Sequence, residues 1–231
     1  MSTLVLVPGA GGTAWYWHRL VPELAARGHT AVPVELPAAD DSAGLAEYAD
    51  AIVEAARDLQ DVVLVAQSFG GMSAPLVCAR RPVRGLIMLN AMVPRPGETP
   101  GEWWGNTGHA AARLAQARAA GRSEESLADL VDAFFHDVPP EITAEAFAQG
   151  EPVQSDTPLA KPWPLPAWPD VPLEIIHGRE DRFFPLEFAE RVAAERLGSP
   201  LRVIPGGHLV ALSRPAELAD AIDDVITRHG W

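Results

Sequence analysis

Apolar residues follow two alternating rhythms along this chain. Short, nearly uninterrupted runs rich in Val, Ile and Leu occur at Leu4–Val7, Ala31–Val34, Val62–Ala66, Gly85–Leu89, Leu173–His177 and Leu201–Ile204. Strands read this way when helices cover both faces of a parallel sheet. Between the runs, apolar residues recur at spacings of three and four, which predicts helices over Tyr16–Arg27, Leu45–Leu59, Met72–Arg81, Leu186–Leu197 and Pro215–Arg228. In the second of these, Leu45, Tyr48, Ile52, Ala55, Ala56 and Leu59 make one stripe that belongs to the core. Gly28 and Gly198 follow two of the helices as left-handed stop signals. The alternation predicts an α/β fold built on a mostly parallel, doubly wound sheet of about six strands.

That rhythm breaks between Met92 and Val171, a stretch too long to be a connecting loop. It predicts an inserted helical cap over residues 94–169, with residues 1–93 and 170–231 forming the core. The insert opens on the proline- and glycine-rich Pro94–Gly101 and carries helical patterns near Thr107–Ala120, Ser123–Phe135 and Ile142–Ala148. It ends in Pro158–Pro172, where dense prolines disfavour helix and stiffen the chain.

With 231 residues, 48% of them apolar, the chain is large enough for one sizeable core and short for two equal domains. A formal net charge of −13 repels phosphate backbones and anionic lipid, so neither nucleic acid nor membrane is an expected partner. The oligomeric state is left open, a homodimer included. Cys78 is the one cysteine, so no internal disulfide can form, and it reads as a small buried residue. The first apolar run has no basic region before it and stops at Pro8-Gly9, far short of a signal peptide or a membrane span. A cytoplasmic protein is the expectation.

Four short stretches carry candidate chemistry. The segment from Val62 to Gly71 runs from a buried strand through Ser68 straight into a glycine-led helix. A serine on so abrupt a turn is pushed into a strained backbone conformation, and the residues two before and two after it must be small, as Ala66 and Gly70 are. The turn sets the hydroxyl at a helix N-terminus, where unpaired amides favour developing negative charge. Gly70 and Gly71 also fit an ordinary helix start, a reading that the preceding strand weakens. Val7-Pro8-Gly9-Ala10-Gly11-Gly12 follows the first strand as a loop able to point amides at a substrate oxygen. It lacks the lysine of a phosphate loop and the glycine spacing of a dinucleotide site, so no cofactor is expected.

Asp181 follows the fifth strand and His208 the sixth, both at the carboxyl edge that also carries Ser68, where open parallel sheets gather their active groups. Asp181 is preferred over Glu180, which reads as a solvated neighbour of Arg179 or Arg182. His208 sits behind Gly206-Gly207, which let the backbone turn freely. It is the one histidine of seven that follows a strand end within a glycine turn and precedes a helix; His177 ends a strand and packs there. The histidines show no metal-ligand spacing, so no metal is expected.

The order Ser68, Asp181, His208 resembles the serine, acid, histidine order of α/β-hydrolases, and the likeness covers essentially the whole chain. Val5 to Gly12, Trp15-Tyr16-Trp17 and Gly28-His29 are similar to the branch that contains plant methylesterases, hydroxynitrile lyases and their bacterial relatives. Two departures stand out: Ala66 replaces the glycine most common in the elbow, and Pro8 stands where many members have histidine. The resemblance implies a serine hydrolase that cleaves a small or medium apolar carboxylic ester through an acyl-enzyme on Ser68. Ala10 and Phe69 would supply the oxyanion amides. Gly9 and Gly11 would border the substrate, with Trp103 and Trp104 as pocket walls and Asn106, His109 and His136 as polar contacts from the cap. Those aromatics read equally well as packing between cap and core. Hydroxynitrile lyases of the branch carry a lysine after the histidine and a threonine in the oxyanion loop. Leu209 and Gly9 stand there, which disfavours an acid–base lyase on the same triad. A non-catalytic small-molecule receptor is the third alternative.

Overall fold

Each of the apolar runs forms a strand. The computed structural model describes residues 1–231. It pairs β1 (Thr3–Val7), β2 (Thr30–Pro33), β3 (Val62–Gln67), β4 (Gly85–Leu89), β5 (Leu173–Gly178) and β6 (Arg202–Ile204) in one six-stranded sheet of order β2-β1-β3-β4-β5-β6. Every pairing is parallel. The chain starts in the interior of the sheet, steps to one edge and returns across β1 to build the other half. The crevice between β1 and β3 is therefore the point where strand order reverses, the usual ligand position in such sheets.

Alternate residues of the strands feed two apolar layers. Val5, Val7, Leu64, Ala66, Leu86 and Met88 face one side, packed with Tyr48 and Ile52 of α2 (Leu45–Ala55), Val77 of α3 (Gly70–Cys78), and Phe188 and Val192 of α8 (Leu186–Leu197). Leu4, Leu6, Val63, Val65, Ile87 and Leu89 face the other, against Leu20 and Leu24 of α1 (Leu20–Ala26) and Leu218, Ile222 and Val225 of α10 (Pro215–His229). A short helix, α9 (Val210–Ser213), precedes α10.

Residues 90–172 contribute no strand. They carry α4 (Pro100–Thr107), α5 (His109–Ala119), a 3₁₀ turn at Glu124–Ala128, a π-helical turn at Val131–Phe135, α6 (Pro140–Ala148) and α7 (Thr157–Ala160). Three local departures from expectation have identifiable causes. The helix expected over Tyr16–Arg27 divides into a 3₁₀ turn at Ala14–Trp17 and α1, because Pro22 has no amide to donate and is tolerated only in a first turn. The helix expected over Thr107–Ala120 is interrupted at Gly108, which takes φ 67 and caps α4. The Ser123–Phe135 helix breaks because the Asp129 side chain accepts from the amides of Val131 at 2.8 Å and Asp132 at 3.3 Å, competing with the helical ladder. No helix is long and apolar enough to cross a membrane.

Candidate active site

Register places the glycine loop beside the serine. Val7 pairs with Ala66, so the segments leaving β1 and β3 run together. A Cβ on Gly9 would lie 2.4 Å from Gln67 Oε1 and 2.9 Å from Ser68 Cβ, and one on Gly70 would lie 2.6 Å from the Pro8 carbonyl. Only glycine permits this approach at either position. Ser68 takes φ 50, a left-handed conformation rare for serine. Three backbone bonds hold the elbow there: the Ser68 amide donates to Leu89 O at 3.1 Å, and the amides of Gly71 and Met92 donate to Ser68 O at 3.1 and 2.9 Å.

The acid and histidine loops meet in the same way, one strand pair further along. Gly178 pairs with Ile204, and the amides of Arg179 and Glu180 donate to Ile204 O at 2.8 Å and Gly206 O at 3.0 Å. Asp181 and His208, 0% and 1% exposed, are thereby brought face to face, and Ser68 is 9% exposed. His208 Nδ1 lies 2.8 Å from Asp181 Oδ2, and His208 Nε2 lies 3.0 Å from Ser68 Oγ. Asp181 Oδ1 accepts the amides of Phe183 and Phe184, both at 2.8 Å. Burial alone would raise the pKa of Asp181, but the His208 ring, its hydrogen bond, the nearby His177 ring and the Phe184 amide outweigh it and hold the carboxyl below the usual carboxylate range. With the acid ionised, the proton belongs on Nδ1. That leaves Nε2 free to accept from Ser68.

Side chains from four places tie these loops down. Asn90, fully buried at the end of β4 with φ 43, donates from Nδ2 to the carbonyls of Gly207 and His208, both at 3.0 Å. Its Oδ1 accepts the Gly178 amide at 2.7 Å. One amide group therefore clamps the acid-bearing strand to the histidine loop. The sheet-edge rule that singles out Asp181 and His208 applies equally to this residue, at the carboxyl end of β4. Glu180 is exposed, as expected, but accepts the Gly206 amide at 2.5 Å rather than pairing with Arg179 or Arg182. Asp137, from the segment between β4 and β5, accepts the Gly207 amide at 2.7 Å, and Gln116 of α5 donates to Asp181 O at 2.8 Å.

The Ala10 and Phe69 amides make no hydrogen bond to any protein acceptor. The Gly11 amide bonds within the protein, donating to Gln154 Oε1 at 3.1 Å. Three other expected substrate contacts are also committed to the protein itself. Trp103 is 1% exposed and donates from Nε1 to Val93 O at 3.0 Å. Asn106 is exposed and donates to Glu98 Oε1 at 2.9 Å. His109 is buried, with Nε2 2.8 Å from Phe183 O. Trp104 is half-buried, its ring 4.9 Å from that of His109 and 5.9 Å from that of Phe183. His136 lies against Gly207, and neither ring nitrogen has a hydrogen-bond partner. Composition offered no pointer to the rings that do surround His208. Phe134, on the π-helical turn, lies at 5.3 Å, Phe183 at 5.1 Å and Phe184 at 5.0 Å.

His109 also predicts an acid response. Burial, opposed by the bond to Phe183, pushes its pKa from 6.5 down to about 4, and burial lowers that of His177 as well. Below pH 6.5 the unfolded chain takes up protons that the folded chain refuses, so stability falls as pH drops from about 6.5 towards 4. Each such histidine contributes up to about 1.4 kcal/mol per pH unit. His109→Gln keeps a donor for Phe183 O and removes one titrating group. Urea midpoints should therefore fall less steeply with acid in this variant; an unchanged slope would refute the assignment.

Comparison with known proteins places this geometry in a family. Residues 4–221 match the model of the alpha/beta hydrolase family. A probable esterase, PIR7A of Oryza sativa subsp. indica, is 36% identical over 110 residues, a match spanning 42% of this chain and 41% of that protein. An alpha-hydroxynitrile lyase of Arabidopsis thaliana is 25% identical over 253 residues, 97% of each chain. Among solved structures, polyneuridine aldehyde esterase superimposes with a TM-score of 0.78 at 21% identity, covering 97% of this chain and 99% of that one. A pyrethroid hydrolase from Sphingobium faniae JZ-2 gives 0.75 at 23% identity, covering 98% and 97%. The fold and the matched span together show that the chain belongs to the alpha/beta hydrolase family.

Proposed function

We propose that this protein is a serine hydrolase that cleaves small or medium apolar carboxylic esters through an acyl-enzyme on Ser68. The observation that carries the reading is the buried relay from Asp181 Oδ2 to His208 Nδ1, 2.8 Å, and from His208 Nε2 to Ser68 Oγ, 3.0 Å. In that arrangement His208 takes the Ser68 proton as the hydroxyl attacks the ester carbonyl, and Asp181 holds the tautomer and stabilises the imidazolium. The amides of Ala10 and Phe69 receive the oxyanion. The protonated His208 then donates to the leaving alkoxide, the alcohol departs, and water activated by the same ring releases the acid. The apolar preference follows from the rings of Phe134 and Phe183 beside His208. We assign residues 94–169 to a cap over the triad, with Gly9, Trp104 and His136 bordering the substrate.

A second reading, an acid–base lyase acting on cyanohydrins, is favoured by the full-length likeness to the Arabidopsis thaliana lyase. Leu209 weighs against it, because no ammonium follows His208 to handle cyanide. A panel of p-nitrophenyl esters together with mandelonitrile separates the two. Saturable hydrolysis of the shorter esters without cyanide release is expected, and cyanide release without ester hydrolysis would reverse the assignment.

A further inference from the structure

The glycine loop that would carry the Ala10 amide is intrinsically loose. Ala10 is flanked by Gly9 and by Gly11 and Gly12, the last two at φ 82 and 65, and glycine loses more conformational freedom on ordering than any other residue. Within the loop, the Gly12 amide donates back to Gly9 O at 3.1 Å. From outside, the Leu36 amide donates to Gly12 O at 2.8 Å, and on the Gly11 side the hold comes from the strap between α6 and α7, where Gln154 accepts the Gly11 amide at 3.1 Å. Pro152 lies against the same α-carbon, its Cβ 2.5 Å from where a Gly11 Cβ would sit.

Gln154 is itself fixed. Its Nε2 donates to Tyr48 Oη at 2.9 Å and to Ser155 O at 3.0 Å. A flipped amide would set Oε1 against the Ser155 carbonyl and the NH₂ group against the Gly11 amide, two repulsive contacts, so one orientation is selected. Tyr48 is a core residue, 1% exposed. The strap is docked by the Ser155 amide on Ala38 O at 2.8 Å and Thr157 Oγ1 on Asp41 O at 2.7 Å.

We infer that Gln154 is a positioning residue, which acts through Gly11 to aim the Ala10 amide at the developing oxyanion. The inference rests on the serine hydrolase reading above. Fixing the Gly11 N–H fixes the peptide plane on one side of Ala10, and the Gly9 approach to Ser68 fixes the other. A donor left free to swing stabilises the transition state less while binding the ground-state ester almost as well.

The test compares Gln154→Ala, Gln154→Glu and Thr157→Ala with wild type, using a p-nitrophenyl ester for kcat and KM and a trifluoromethyl ketone as transition-state mimic. Displacing a catalytic donor by about 1 Å costs up to ~100-fold, so Gln154→Ala should lose about 10- to 100-fold in kcat with KM within about 3-fold. Ketone affinity should fall in step with kcat/KM. Gln154→Glu keeps an acceptor for Gly11 and Tyr48 Oη can turn to donate to its second oxygen, but that oxygen also faces Ser155 O, so it should recover only part of the loss. Thr157→Ala loosens the strap without touching Gly11 and should keep wild-type kcat. Wild-type kcat in Gln154→Ala would overturn the inference, as would a loss that Thr157→Ala reproduces. If the alanine variant does not fold, Gln154→Met, which keeps most of the volume but offers Gly11 no oxygen acceptor, decides alone: parallel losses in kcat and ketone affinity support the inference, and wild-type values overturn it. A wild-type protein inert towards ester and ketone would instead remove the hydrolase reading, and this inference with it.

Discussion

Replacing Ser68 by alanine is expected to reduce ester turnover by a factor on the order of 10⁴–10⁶. The thermal midpoint should stay close to that of wild type. The two outcomes are separable because the backbone, not the hydroxyl, builds the elbow. Gly70 and Gly9 make room for it, and the bonds to Leu89 O and from the Gly71 and Met92 amides hold its φ of 50. Ser68 Oγ makes one hydrogen bond, to His208 Nε2. Removing it deletes the nucleophile and leaves the acid, the base and the free amides in place. Residual turnover above the solvent rate would then measure what binding and the oxyanion amides contribute unaided. Steady-state hydrolysis of a p-nitrophenyl ester reads the first outcome and a thermal melt the second.

The second large effect is expected for Asp181→Asn. Oδ1 of Asp181 accepts two amides, those of Phe183 and Phe184, at 2.8 Å each. An asparagine must therefore keep its carbonyl oxygen on that side, since its NH₂ group there would meet two donors. The NH₂ group is left facing His208 Nδ1, which forces the ring to accept at Nδ1 and carry its proton on Nε2. In that tautomer Nε2 cannot take the Ser68 proton. A loss of about 10⁴ in kcat is expected, with a nearly isosteric fold. A loss below about tenfold would mean that the carboxylate does not set the tautomer.

Residues that depend on strand ends were readable from the chain, and residues that depend on how the segment between β4 and β5 packs were not. Buried parallel strands are written as unbroken apolar runs, so the sheet and its carboxyl edge follow from local pattern. Ser68, Asp181 and His208 meet because each leaves a strand at that edge. Asn90 leaves the same edge and was overlooked for want of a motif, although a buried polar residue at a strand end is itself a signal. Helix α4 could also have been found, since Thr99 and Glu102 form a capping box around Pro100. That Trp103, Asn106 and Gly11 each bond to another residue of the chain was unreadable for a different reason. Their partners, Val93, Glu98 and Gln154, are fixed by the placement of the segment between β4 and β5, and irregular proline-rich chain carries no periodicity from which that can be read. The π-helical turn that sets Phe134 over His208 is likewise created by tertiary packing and by the Asp129 side chain.

Mapping a fluorophosphonate adduct by tandem mass spectrometry addresses the nucleophile directly. The relay described above activates one hydroxyl, so the wild-type protein should take up one probe per chain, on Ser68, and His208→Ala should label far more slowly. An unlabelled protein that still hydrolyses esters, or an adduct on any other residue, would contradict the assignment of Ser68.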